Sequence, residues 1–160
     1  MPATSFFDPS YVETVYAALF AQLQTATFPG GLKIQQARRV LIPPDEVPAG
    51  SQPAMFLVPG PLHTEEKNFA LAKWTFTAVL LIYLRTDSAM PPSVLPQTSG
   101  FNLLWGFVNA LYADVDPPYG KQTLGGLVYH CWIEGEVIVS TASEQAVISI
   151  PIYMLAGDVG

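Results

Sequence analysis

The sequence predicts an α+β fold: one antiparallel β-sheet with two α-helices packed on one of its faces. Two stretches carry apolar residues at helical spacing. Several others alternate apolar and polar residues with the period of a strand, or form short apolar runs between Pro- and Gly-rich breaks. The order is helix, two short strands, a long strand, helix, then two strands, and such segregated strands suit an α+β arrangement better than a parallel α/β one.

The first helix opens at Asp8-Pro9, a capping residue followed by a proline suited to the first turn. Tyr11, Val15, Leu19 and Leu23 recur every four residues, with Val12, Tyr16 and Phe20 alongside, and the pattern ends near Ala26 before Phe28-Pro29-Gly30-Gly31. Lys33 to Ile42 reads as a short strand, a Pro-rich loop follows, and Ala54 to Val58 reads as a second strand. "PGPLHTEEK" reads as an exposed loop. Phe69 to Thr86 is a long strand with Trp74, Phe76, Ala78, Leu80, Ile82 and Leu84 on one face. Its other face starts polar and becomes apolar at Val79, Leu81 and Tyr83, as expected of a strand covered first on one side and then on both. Phe101, Leu104, Trp105, Val108 and Leu111 mark the second helix, in which Gly106 is either a weak point or a place of close packing. The last strand, Ala146 to Leu155, puts Ala146, Ile148, Ile150, Ile152 and Met154 on one face, and Pro151 favours an edge or a bulge.

Composition bounds the function. A chain of 160 residues suggests a single domain over 1–160, long enough to bury a core without disulfides. Half the residues are hydrophobic and only 12% are charged, against about 25% in an average domain, so apolar surface is left over for subunit contacts. No apolar run reaches the roughly 18 residues of a membrane span, and "MPATSFFDPS" lacks the basic start and apolar run of a secretory leader. The formal charge of −6, with seven scattered Lys and Arg, argues against a nucleic-acid binder.

The segment "QTLGGLVYHCWIEGEV", Gln122 to Val137, gathers His130, the lone Cys131 and Glu134. Read as a strand, it points His130, Trp132, Glu134 and Glu136 to one face, and Leu127, Tyr129, Cys131 and Ile133 to the other. His130 then cannot serve as base to the Cys131 thiol, and the residues are expected to be structural. "FPGGLK" and "TLGGLV" lack the spacing and the Lys-Ser/Thr ending of a phosphate loop, and one cysteine with two distant histidines argues against zinc. No catalytic residue, cofactor or metal is expected.

The chain resembles the tail terminator (tail completion) proteins of long-tailed bacteriophages. The resemblance runs from about Tyr11 to Leu155 through "IQQARRVLIPPDEVPAGSQPAMFLV", "KWTFTAVLLIYLRTD", "GFNLLWGFVNALYADVD", "KQTLGGLVYHCWIEGEVIV" and "QAVISIPIYML". It implies a ring-forming subunit, usually a hexamer, at the head-proximal end of the tail tube. There it would stop tube polymerisation and meet the head connector, in the virion and in the host cytoplasm during assembly. Its partners would be further copies of itself, the tail-tube protein, the connector or stopper protein, and genomic DNA passing through the lumen without specific binding. A tail-tube or head-tail connector ring subunit, and a small-ligand-binding α+β domain, are the alternatives. The excess of apolar residues on the second face of the long strand places the ring contact at Val79, Leu81 and Tyr83, with Arg38 and Arg39 nearby. Glu65, Glu66, Asp114 and Asp116 are expected in exposed loops that line the lumen or dock a partner, a like-charged wall being one that does not hold DNA.

Overall fold

The computed structural model describes residues 9–65, 73–85, 96–113, 115, 120–141 and 145–156. Among them are two α-helices and a six-stranded mixed sheet. The chain runs α1 (Pro9–Leu23), β1 (Gln36–Arg38), β2 (Ala54–Glu65), β3 (Lys73–Arg85), α2 (Pro96–Leu111), β4 (His130–Ile133), β5 (Ile138–Thr141) and β6 (Gln145–Leu155). The sheet order is β1-β2-β3-β6-β4, and β5 also pairs with β6.

Both helices cover the same sheet face. Val15, Tyr16, Leu19 and Leu23 of α1 share one core with Leu103, Phe107 and Leu111 of α2. Its floor is the expected face of β3 together with every second residue of β6, Ala146 through Met154, all buried. Tyr16 turns its polar end to the sheet and donates its hydroxyl to the Thr77 carbonyl at 2.8 Å, which satisfies a group that burial would otherwise leave costly.

The packed face of α2 differs from the expected stripe. Leu103, Phe107, Ala110 and Leu111 point inward, while Phe101 and Trp105 are 56% and 54% exposed. Small residues set this choice, since Ser99, Gly100 and Gly106 all lie on the buried side. A Cβ at Gly106 would stand 2.5 Å from the Thr27 carbonyl and closer still to the Phe28 ring. The helix buries the side on which it can approach its neighbours, and Phe28 meets Phe107 edge-on at 5.0 Å there.

The sheet is mixed rather than wholly antiparallel. β1 pairs parallel with β2, because residues 39–53 form a crossover with two short 3₁₀ turns, Pro44–Glu46 and Ala49–Ser51, instead of a hairpin. β1 is also shorter than the expected Lys33–Ile42 strand. β2 is longer than expected, for the segment read as a loop continues it through a bulge between Pro59 and Leu62 to Glu65. β1 pairs only with Ala54, Met55 and Phe56, so Pro59 and Pro61 stand on an edge where no ladder bond is lost.

The 122–137 segment is not one strand. Thr123 to Gly126 is a turn, with Leu124, Gly125 and Gly126 at positive φ, and β4 begins only at His130. β4 and β5 together form the edge beside β6, interrupted at residues 134–137 opposite Ile150 and Pro151. Gly135, at φ 104, packs against the Pro151 ring. The break thus falls beside the one β6 residue that has no N–H.

Candidate assembly interface

The face of the sheet turned away from the helices is only partly covered by its own chain. Over one end, the 39–53 crossover builds a second cluster of Val47, Ala54, Phe56 and Tyr83, with Ile42, Val58, Leu81 and Val147 against it. Tyr83 donates its hydroxyl to the Ile42 carbonyl at 2.8 Å, which pins the crossover down. Tyr83 is therefore buried inside the subunit and cannot be the contact residue expected from the sequence.

Register orders the residues across this face. Arg38 pairs with Phe56, Phe56 with Leu81, Leu81 with Ser149, and Ser149 with Ile138. These five residues form one row from edge to edge on the outer face, because directly paired residues point the same way. Arg38 and Leu81, far apart in sequence, are two strands apart in this row, roughly 10 Å. Val79 lies in the next row along, between Val58 and Pro151. Arg39 follows the alternation and turns to the helix side, where its guanidinium forms a two-pronged pair with the Glu13 carboxylate. That hydrogen bond holds the exposed Glu13 carboxyl below its ordinary range. Sequence reasoning grouped Arg38 with Arg39, but the strand sends them to opposite faces.

Two features of this surface were missed from the sequence. His130 stacks on Trp132 with ring centres 5.3 Å apart, and Trp132 on Tyr153 at 5.8 Å, making an aromatic ladder across the outer face. Pairing of β4 with β6 brings Tyr153 there, and one strand alone does not reveal its neighbour. The other feature is Ile138, 51% exposed at the end of the Arg38 row. Glu65 ends β2, while Glu66, Asp114 and Asp116 lie outside the described residues.

Cys131 faces the core, fully buried, and Met154 is its partner in β6. His130 lies on the opposite face, and His63 sits in β2 with β3 and β6 between it and β4. No histidine is placed to take the proton of the thiol, which burial pushes up to about 12. Native protein is accordingly expected to resist thiol alkylation at pH 8 and to react once unfolded. Folding stability should also fall as pH rises above the ordinary thiol value of 9.0. The unfolded thiol ionises there while the folded one keeps its proton, so the slope is about 1.4 kcal/mol per pH unit up to the folded value. Burial raises Tyr11, Tyr16 and Tyr83 as well, so the measurement belongs between pH 9 and 10, where Cys131→Ala should flatten the slope.

A cavity of about 680 Å³ lies between the end of α1, residues 26–37 and Met55. Among the described residues no cluster of His, Cys, Asp and Glu is arranged to hold a metal ion, and no helix is long and apolar enough to cross a membrane. In comparisons with known proteins, no family model and no curated protein matches the chain.

Proposed function

We propose that the protein is a structural subunit of a bacteriophage tail, a tail terminator that assembles as a ring at the head-proximal end of the tube. There it ends tube growth and meets the head connector. The observation that carries this reading is the Arg38–Phe56–Leu81–Ser149–Ile138 row, apolar at its centre and exposed at both ends, on a face that neither α-helix covers and the 39–53 crossover covers only in part. Val79 and Leu81 are half-buried in the isolated subunit and gain cover from a neighbouring copy. A terminator also needs surfaces for partners other than itself, and the exposed Phe101 and Trp105, one turn apart on α2, supply one. The acidic balance of 13 Asp and Glu against seven Lys and Arg suits a conduit for DNA, with Glu65, Glu66, Asp114 and Asp116 as its candidate lining.

The mass of the purified protein in solution tests the ring, and electron microscopy of tail tubes mixed with it tests the terminator. The expected results are a stable oligomer and tubes capped at one end. Incorporation along the tube would instead make it a tube subunit, and binding to the head portal alone a connector. The second reading, a ligand-binding domain, draws on the cavity beside Leu23, Phe28 and Met55, whose volume is in the range of small-molecule sites. A monomer that retains a small molecule through purification would favour it.

A further inference from the structure

The two edges of the sheet carry opposite charge. At one edge, β1 and the residues flanking it hold Lys33, Arg38 and Arg39 with no acidic residue among them. Arg39 is paired with Glu13, whereas among the described residues no ion pair reaches Lys33 or Arg38, both exposed. At the other edge, a bridge from Gln122 to Cys131 caps β4, which leaves residues 134–137 and β5 as the open stretch. That stretch presents Glu134 and Glu136, both exposed, followed by exposed Ile138. Lys121 stands nearby, against His130, and Asp45 and Glu46 sit on the crossover loop, but none lies within either edge segment.

Charges on open edges usually keep sheets from joining. That device works when the edges repel, which requires the same sign on both. Here the signs differ, so a head-to-tail approach is attractive and only a like-to-like approach is repelled. We propose that neighbouring subunits join edge to edge, the Lys33 and Arg38 edge of one copy against the Glu134, Glu136 and Ile138 edge of the next. This rests on the ring reading above and adds an edge contact to the outer-face contact at Val79 and Leu81. The joint is heterologous, the kind that generates rings. It continues the outer-face row from the Ile138 of one copy to the Arg38 of the next, and brings exposed Val40 and Leu41, which follow β1, to the same joint.

Charge reversal at each edge tests the joint. Lys33→Glu/Arg38→Glu makes both edges acidic, and Glu134→Lys/Glu136→Lys makes both basic. All four positions are exposed, so circular dichroism and melting should match the parent. At physiological salt each double variant alone should need about a hundredfold or more higher concentration to assemble. Mixed one to one, they should recover the parent mass, because every joint then pairs an acidic edge with a basic one. Double variants that assemble like the parent when alone overturn the proposal, and so does a mixture that stays dissociated. A parent that is itself a monomer overturns the ring reading and the joint together. A parent ring indifferent to these changes overturns the joint alone.

Discussion

Replacing Phe76 with alanine is expected to remove about 3–5 kcal/mol of folding stability. Phe76 is almost fully buried in β3, at the seam between the sheet and α1. Its ring lies 6.3 Å from that of Tyr16 and 6.0 Å from that of Tyr11. The two tyrosines are themselves anchored: Tyr16 donates to the Thr77 carbonyl, and Tyr11 to the Leu127 carbonyl. Neither can swing far into the vacated space without losing its hydrogen bond, so the cavity stays open and the cost falls at the upper end of the range. A domain of this size has about 5–15 kcal/mol in all. Urea denaturation should show the loss as a lower midpoint with little change in slope. Phe101→Ala removes an equally large ring from the exposed side of α2 and should shift stability by no more than about 0.5 kcal/mol. Equal losses from the two variants would mean that α2 packs on its other face.

Leu81→Glu is expected to convert the proposed ring into monomers. Leu81 sits mid-row on the outer face, with Phe56 on one side and Ser149 on the other. Within the subunit it is only half-buried, so the new carboxylate can reach water in a monomer and the chain should still fold. In the assembled state a second copy would bury it, and an unpaired buried charge is costly enough to cancel most interfaces. Arg38 shares the row two strands away, with Phe56 between them. Sedimentation should show loss of the oligomer, with circular dichroism unchanged. Retention of the oligomer would place the contact away from the outer face. Trp105→Ala, on the opposite side of the molecule's layers, should leave the mass of the proposed ring as it was.

The sequence by itself determined the two helices and the long strands β3 and β6, and the inward face of every element whose neighbours are all of one kind. Alternation in β3 and β6 names the residues that face the helices one by one, because a strand has only two faces and one of them is wholly apolar. The four-residue recurrence in α1 does the same. The burial of Cys131 on the face opposite His130 was equally readable, since it follows from the parity of its position relative to His130 and Trp132.

What only the tertiary structure decided was the outcome where two surfaces compete. α2 is apolar on two sides, and counting large side chains selects Phe101 and Trp105, whereas packing selects the side with Gly100 and Gly106, because backbone can approach only there. The parallel pairing of β1 depends on how far residues 39–53 travel, and nothing in the three residues of β1 states it. Tyr83 repeats the alternation of Leu81, yet the crossover buries the one and leaves the other half open. The Arg38–Ile138 row spans five strands that come from four separated parts of the chain. Its existence depends on the register of each pair, and a shift of one residue in any of them would send half the row to the helix side.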